Sequence, residues 1–272
     1  MENIQARKPV VRIQNLHCHY GDKIALEDIN LTIYEREILV IMGHSGSGKS
    51  TLFRSVLGLM PATSGTIEML EKNIARLTKK EMYELRKHIG VAFQNGALFS
   101  SLSVRENVEL PLHEHTRLDK NTIQIMAMMK LSMMKLSGYE HLMPAQLSGG
   151  MLKRAGLARA VVMDPKLLFF DEPSAGLDPV ISAELDRLIM QLRDALNMSI
   201  VIITHELESA FNIADRITVL DNGKQIMTGT KEEIRQSNDK RIKNMLARQV
   251  RDEKIDADKY LNELTGEHKN RQ

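Results

Sequence analysis

A glycine-rich segment contains the first residues whose types and spacing could do chemistry. Gly43–Ser50 reads GHSGSGKS and matches the pattern G-x-x-x-x-G-K-S at every fixed position. Glycines let the backbone wrap closely around a polyphosphate, Lys49 supplies positive charge for the β- and γ-phosphates, and the Ser50 hydroxyl can bind Mg²⁺. An apolar run typical of a strand precedes the segment, and a helical pattern follows it, so unpaired helical N–H groups face the phosphates. The residues predicted to bind a nucleoside triphosphate are Gly43, Ser45, Gly46, Ser47, Gly48, Lys49, Ser50 and Thr51.

Two carboxylates stand at the end of a second apolar run. Leu167–Phe170 predicts a buried strand, and Asp171 and Glu172 follow it directly. Because the carboxyl ends of parallel strands form the ligand-binding edge of a sheet, Asp171 can reach a metal ion there and Glu172 can orient a water molecule. A general base in such a position contributes about 10²–10⁴-fold to a reaction rate.

These residues require a sheet to position them, and the chain has the corresponding pattern. Compact apolar runs alternate with helical segments, which indicates an α/β fold with a mostly parallel sheet covered by helices. The clearest helix is Val180–Leu196, with Asp178 placed to cap it and Pro179 in its first turn. The alternating segment Ile24–Tyr34 predicts an antiparallel part near the N-terminus, and Asn222-Gly223 predicts a hairpin turn. The predicted strands are Val10–Ile13, Ile38–Met42, Val91–Phe93, Leu167–Phe170, Ser199–Thr204 and Ile217–Leu220.

Three regions of different character suggest the domain organisation. Residues 1–94 and 164–238 carry the strand patterns and form the predicted core, and residues 95–163 are interpreted as an inserted helical subdomain. Residues 239–272 form a highly charged extension, which fits either a solvated tail or an amphipathic helix that docks on a partner. Five methionines of the insertion predict helix core, with an adaptable groove for a membrane-protein helix as the alternative: Met126, Met128, Met129, Met133 and Met134.

Composition excludes several classes of function. Of the 272 residues, 37 are Lys or Arg and 35 are Asp or Glu, and the net charge of +2 disfavours a nucleic-acid binder. The apolar runs are far shorter than the roughly 20 residues of a membrane-spanning helix, and no secretory signal is predicted. Cys18 is the single cysteine, which suits a reducing compartment. His17 and His19 place two imidazoles on one face of a strand, an incomplete set for a metal site.

A second glycine motif indicates which protein family these features resemble. Leu147–Met151 reads LSGGM and resembles the LSGGQ signature of ABC-type ATPases. Gln94 is similar to the lid-loop glutamine of that family, His205 to the switch histidine, and Tyr20 to the aromatic residue that stacks on adenine. Ala175–Asp178 resembles the loop that crosses the dimer interface. The phosphate loop and the signature together make the resemblance specific.

The resemblance spans about residues 10–230 and implies hydrolysis of ATP, with Mg²⁺ as cofactor. In ABC ATPases two subunits pair head to tail, so that the signature of one contacts the nucleotide of the other, and a second copy of this chain is the implied partner. Met151 departs from the usual glutamine, and His44 occupies a position that the phosphate-loop pattern leaves free. The implied catalytic residues are Glu172, His205 and Gln94, the metal ligands Ser50, Gln94 and Asp171, and the further nucleotide contacts Tyr20, Ser148, Gly149, Gly150 and Asp178.

A narrower resemblance lies in the helical insertion. Phe93–Phe99 (FQNGALF), Leu110–Thr116 (LPLHEHT) and Leu142–Gln146 (LMPAQ), running into LSGGM, are similar to the ATPases of Mla-type phospholipid transporters. The signature ending in methionine belongs with that group. The resemblance implies an ATPase that drives phospholipids between the inner and outer membranes of a bacterial envelope.

This resemblance also implies partners and a location. The ATPase dimer would bind a permease at the cytoplasmic face of the inner membrane, together with an MCE-domain lipid-binding protein and a small STAS-domain protein. The alternative cargo is an amino acid or another small solute, although such importers often append a folded domain after about residue 240. An ABC ATPase of DNA repair or translation is disfavoured, because no second cassette, long coiled coil or basic extension is predicted.

Overall fold

The computed structural model describes residues 4–247. The described chain divides into two compact units, one ending at Gln236 and the other beginning at Ser237. None of the helices within residues 4–247 has both the length and the apolar character needed to cross a bilayer.

The first unit contains ten strands and eight α-helices among its described residues. The strands are β1 (Pro9–Tyr20), β2 (Lys23–Tyr34), β3 (Ile38–Met42), β4 (Ser64–Met69), β5 (Lys72–Asn73), β6 (Ile89–Ala92), β7 (Leu167–Asp171), β8 (Ser199–Thr204), β9 (Arg216–Asp221) and β10 (Lys224–Thr230). The helices are α1 (Lys49–Val56), α2 (Lys79–Arg86), α3 (Val104–His115), α4 (Lys120–Met133), α5 (Gly149–Val161), α6 (Pro179–Leu196), α7 (Leu207–Ile213) and α8 (Lys231–Gln236).

The strands form one sheet of mixed direction, in the order β5-β4-β1-β2-β10-β9-β3-β8-β7-β6. The pairs of β3 with β8 and β9, of β8 with β7, and of β7 with β6 are parallel, whereas β1 pairs antiparallel with β2 and β4. The parallel strands β3 and β8 are buried along their whole length, as expected for a sheet covered on both faces. The predicted fold class, an α/β core with an N-terminal antiparallel part and inserted helices, is confirmed.

The register of the parallel strands brings the ends of several motifs together. Met42 of β3 pairs with Thr204 of β8, and Asp171 of β7 pairs with Ile203. Ala92 of β6 pairs with Phe170, so Gln94, two residues further on, follows the strand beside Asp171. The residues that follow these four strands therefore meet at one edge of the sheet.

The segment 95–163 contains three α-helices and no strand. Ser103 begins α3 with a capping box, in which its hydroxyl accepts from the Glu106 N–H and the Glu106 carboxylate accepts from the Ser103 N–H. Asn107, fully buried in α3, donates to the carbonyls of Phe99, Leu102 and Ser103 and so fixes the preceding loop.

Some sequence expectations were wrong in detail. Strands β4 and β5 were not predicted, because the run Ser64–Met69 is rich in small polar residues and buries only Ile67 and Met69. The strand expected at 91–93 lies at Ile89–Ala92, and Phe93 is exposed outside it. Of the five methionines in the insertion, only Met134 is fully buried, and Met129 is exposed.

The second unit is described only as far as residue 247. Its helix α9 (Lys240–Leu246) is capped by Asp239, whose carboxylate accepts from the Arg241 N–H. Arg241 also pairs with this carboxylate and lowers the pKa of Asp239 to about 2. The remainder of the charged extension, residues 248–272, lies outside the described residues, and so do the two interpretations offered for it.

The core beneath the phosphate loop generates a stability prediction. Phe169 of β7 is 1% exposed and meets the Phe53 ring of α1 edge to face, with 5.7 Å between ring centroids. Phe169→Ala should lower the free energy of unfolding by about 3–5 kcal/mol, because it leaves a cavity in the core. The control Phe99→Ala, at a ring that is 55% exposed, should cost less than about 1 kcal/mol. Urea unfolding followed by circular dichroism measures both, and equal losses would contradict the assignment of Phe169 to the core.

Candidate nucleotide site

A cavity of about 880 Å³ opens at the edge of the sheet where the parallel strands end. Its wall includes twelve of the residues that the sequence predicted: Tyr20, Ser45, Gly46, Ser47, Gly48, Lys49, Ser50, Thr51, Gln94, Asp171, Glu172 and His205. Gly43 is adjacent, and its carbonyl contacts Lys49. The predicted residues Ser148, Gly149, Gly150 and Asp178 do not line this cavity.

The phosphate loop turns sharply into α1. Gly48 is the N-cap residue with φ of 104°, a conformation that favours glycine, and it leaves the N–H groups of the first turn without side-chain caps. The Lys49 ammonium is buried and donates to the carbonyls of Gly43 at 2.7 Å and His44 at 2.9 Å. Burial lowers the pKa of Lys49, which Glu172 and Asp171 partly oppose. The buried Ser47 hydroxyl has no hydrogen-bond partner within residues 4–247. The loop thus leaves the first helical N–H groups without side-chain caps and holds a positive charge at the cavity wall.

Two carboxylates face this positive charge from the end of β7. Burial and the neighbouring Glu172 raise the pKa of Asp171. Glu172 has a φ of 50°, which for a residue other than glycine costs about 1 kcal/mol or more. Its N–H donates to the Ile203 carbonyl at 2.8 Å, and its Oε1 lies 2.9 Å from Nδ1 of His205. The geometry therefore holds Glu172 and His205 as a contacting acid–base pair beside the phosphate loop.

The turn between β1 and β2 adds an aromatic wall. Tyr20 ends β1 and is 48% exposed, and Lys23 and Ile24 begin β2. All three line the cavity. The exposed ring face of Tyr20 is therefore available for stacking on a base.

A part of the site that the sequence did not indicate is the β9–β10 turn. Asn222 and Gly223 line the cavity, and both have positive φ, as in the type I′ turn that the Asn-Gly pair predicts. The Gly223 N–H donates to the Ser47 carbonyl at 3.0 Å. Asp221 accepts from Nε2 of His44 at 2.6 Å. His44 and Asp221 are 177 residues apart, and no short motif links them.

The signature residues begin α5, on a surface outside the cavity. The Ser148 hydroxyl accepts from the Met151 N–H at 3.3 Å, and Ser148 and Gly149 are exposed. Asp178 caps α6 as predicted, accepting from Val180 and Ile181 at 3.0 Å each.

Helix α5 also holds the two loops that flank the cavity. The Lys153 ammonium donates to the carbonyls of Pro173 at 2.7 Å and Ala175 at 2.5 Å. The Arg159 guanidinium donates to the carbonyls of Gly96 at 3.0 Å and Ala97 at 2.8 Å. Sequence reasoning missed both side chains, because hydrogen bonds to backbone carbonyls leave no pattern in the sequence.

The residues present fit a divalent cation that also needs phosphate ligands. A hydroxyl from Ser50, an amide from Gln94 and a carboxylate from Asp171 are hard oxygen donors, the type that Mg²⁺ prefers. Residues 4–247 contain no cluster of three or more His, Cys, Asp or Glu that could hold a metal by itself.

Comparison with known proteins is decisive for the family. Residues 26–175, more than half of the chain, match the ABC transporter family. This chain belongs to the ABC transporter family. The resemblance inferred from the signature and the phosphate loop is thereby confirmed, and the chain is an ATPase that binds nucleotide.

Within this family, the chain is similar to ATP-binding proteins of named transport systems. The intermembrane phospholipid transport system ATP-binding protein MlaF of Haemophilus influenzae is 40% identical over 237 residues, which is 87% of this chain and 90% of the relative. MlaF of Escherichia coli is 37% identical, over 83% of this chain and 84% of the relative. The probable ribonucleotide transport ATP-binding protein mkl of Mycobacterium tuberculosis is 38% identical, over 87% of this chain and 66% of the relative.

Solved ABC cassettes share the fold. The cassette cbiO1 of Clostridium perfringens, part of the transporter complex cbiONQ, superposes with a TM-score of 0.78 at 31% identity, covering 84% of this chain and 91% of its own. A dimeric post-hydrolysis structure of the cassette MJ0796 with ADP and Pi superposes with a TM-score of 0.74 at 30% identity, covering 81% and 98%.

The raised pKa of Asp171 predicts that this ABC cassette becomes more stable when the charge is removed. A raised pKa means that the folded state holds the proton more tightly, so stability is lost as pH rises through the carboxyl range. Asp171→Asn should therefore raise the unfolding free energy of the nucleotide-free chain at pH 7.5 by about 1 kcal/mol, or about 2–4 °C in Tm. The gain should shrink as pH falls toward 4.

Thermal unfolding over this pH range measures the effect. Asp194→Asn is the matched control, because the hydrogen bond from Arg193 lowers the pKa of that exposed carboxyl. The control should show no gain. A lower Tm for Asp171→Asn at pH 7.5 would contradict the electrostatic account.

Proposed function

We propose that this chain is the ATP-hydrolysing subunit of a transporter that moves phospholipids between the inner and outer membranes. The ATPase part is supported by the cavity, where Lys49, Asp171, Glu172 and His205 converge. The cargo is supported by one observation, the similarity to MlaF proteins over 84–90% of their length.

In this proposal the phosphate loop binds ATP. N–H groups of Ser45–Thr51 and the Lys49 ammonium hold the β- and γ-phosphates, and Tyr20 stacks on the adenine. Mg²⁺, when bound, neutralises phosphate charge, and Ser50, Gln94 and Asp171 hold it. The uncapped first turn of α1 supports the assignment, because its N–H groups gain a partner when a phosphate is present.

Glu172 and His205 perform the hydrolytic step. Glu172 orients a water molecule and takes its proton as the oxygen attacks the γ-phosphorus in line. The bond between the γ-phosphorus and the bridging oxygen breaks, ADP leaves with the electron pair, and inorganic phosphate forms. His205 donates a hydrogen bond to the γ-phosphate, and Gln94 positions the water. The 2.9 Å contact between Glu172 and His205 supports this pairing of roles.

The complete site requires a second copy of the chain. Ser148, Gly149, Gly150 and Asp178 lie outside the cavity of their own subunit, and they contact the nucleotide of the opposite subunit in a head-to-tail dimer. The exposed N-terminus of α5 can accept a phosphate, since the first N–H groups of a helix have no partner within the helix. The MJ0796 cassette, to which this chain is similar, is dimeric with ADP and Pi bound, which supports the pairing of two copies.

The dimer binds a permease and lies at the cytoplasmic face of the inner membrane through it. An MCE-domain lipid-binding protein and a small STAS-domain protein complete the proposed complex. Importers of amino acids or other small solutes are the second candidate, which the 38% identity to the probable ribonucleotide transport protein mkl favours.

The role of Glu172 is testable in isolation from any cargo. Glu172→Gln should retain ATP binding and lose at least about 100-fold in turnover, because the amide cannot accept the proton of the attacking water. Steady-state hydrolysis and isothermal titration calorimetry measure the two quantities. Glu208→Gln, at an exposed carboxylate of α7, serves as the control and should hydrolyse ATP normally. Near-normal turnover of Glu172→Gln would remove Glu172 from the catalytic role.

The cargo is tested by purification of the whole complex from membranes. Tagged Glu172→Gln protein, held with ATP, should co-purify a permease, an MCE-domain protein and phospholipid, identified by mass spectrometry. Lys49→Ala is the comparison, because without the phosphate contact it should not yield the ATP-bound closed complex. A solute permease with a solute-binding protein would overturn the phospholipid proposal and leave the ATPase assignment intact.

A further inference from the structure

His44 connects the phosphate loop to the end of β9 in a way that neither the motif nor the proposed hydrolysis uses. Its Nε2 lies 2.6 Å from Oδ1 of Asp221, and its Nδ1 lies 2.5 Å from the backbone carbonyl oxygen of Ser45. The imidazole therefore bridges the second position of the loop, the third position and the neighbouring strand. Its side chain is about one-third exposed, whereas that of Asp221 is nearly buried.

Both ring nitrogens of His44 face atoms that only accept hydrogen bonds. A carbonyl oxygen has no proton to give, and an ionised carboxylate has none either. A neutral imidazole carries one N–H, so it can satisfy only one of the two contacts. The imidazolium carries two N–H groups and satisfies both. Both contacts can therefore be hydrogen bonds at the same time only when the ring carries two N–H groups.

The charged groups around the loop determine whether a proton on His44 strengthens or weakens the binding of a polyphosphate. Asp221 approaches from β9, Asp171 and Glu172 from β7, and each carboxylate opposes a bound polyphosphate. In the same cavity, Lys49 from α1 and Lys23 from β2 carry the opposite charge and favour the polyphosphate, and His205 follows β8. A proton on His44 neutralises Asp221 and fixes the loop, and its loss leaves one nitrogen lone pair against an acceptor.

We propose that His44 is a positioning residue for the phosphate loop, which binds the nucleoside polyphosphate best when the imidazole is doubly protonated and bridges Ser45 and Asp221. The inference rests on the nucleotide site proposed above. It assigns to this ATPase a nucleotide affinity that falls as pH rises through the range in which histidines lose their proton.

The test is the affinity of the full-length chain for Mg-ADP, measured by isothermal titration calorimetry at pH 6.0 and pH 8.5 in excess Mg²⁺. The dissociation constant of the unsubstituted chain should rise about three- to tenfold between the two values, which corresponds to about 0.7–1.4 kcal/mol, the net contribution of one ordinary hydrogen bond. His44→Gln and Asp221→Asn should each reduce this ratio to the part that comes from protonation of the nucleotide itself. His88→Gln, at an exposed histidine outside the cavity, is the matched control and should keep the full ratio.

The outcomes separate this inference from the site on which it rests. A His44→Gln chain that retains the wild-type ratio overturns the bridging role and leaves the nucleotide site intact. Absence of Mg-ADP binding at both pH values, in every variant, overturns the site and the inference together. Titration of ¹⁵N-labelled histidine gives a second readout, in which the His44 signals are those absent from the spectrum of His44→Gln. The His44 imidazole should remain doubly protonated to higher pH with Mg-ADP than without it, and insensitivity of these signals to Mg-ADP would contradict the bridge.

Discussion

The nucleotide site depends on the close approach of three backbones. A Cβ atom at Gly43 would lie 2.4 Å from the Leu220 carbonyl oxygen, and one at Gly48 would lie 3.0 Å from the Ala25 carbonyl oxygen. The phosphate loop therefore fits between β9 and β2 only without side chains at these two positions. The Gly223 N–H closes the same contact from the β9–β10 turn. Because these contacts hold the loop from behind, its shape is set before any ligand arrives, and binding costs little reorganisation.

The same site concentrates charge at the expense of folding. Lys49 and Asp171 are both partly removed from water. Burial lowers the pKa of Lys49 and raises the pKa of Asp171, so the charged form of each is disfavoured. Glu172 adds a backbone conformation that a residue other than glycine adopts only at a cost. These unfavourable features lie at the ends of strands β3 and β7, whose apolar residues are buried on both faces. The buried sheet thus stabilises a functional edge that would not hold its geometry alone.

Local motifs explain how much of this could be predicted from the sequence. The phosphate loop, the acidic pair and the signature are short, and each lies next to a strand or helix that the neighbouring residues predict. The sequence therefore predicts that the first two meet at one edge of the sheet. The strand β4 was not predicted, since Ser64–Met69 forms through pairing with β1 rather than through its own apolar pattern. The contact between His44 and Asp221 was equally inaccessible, because it joins residues that only the sheet order β9-β3 brings together.

Helix α5 connects the signature motif to the two loops that flank the nucleotide cavity. One rigid helix presents Ser148 at its start, holds the loop after Glu172 through Lys153, and holds the loop after Gln94 through Arg159. Gly156 lies so close to Gly96 that a Cβ there would be 2.8 Å from the Gly96 Cα. A displacement at the first turn of the helix must therefore reach both loops simultaneously. Within one subunit, α5 therefore couples the position of the signature serine to both loops beside the nucleotide cavity.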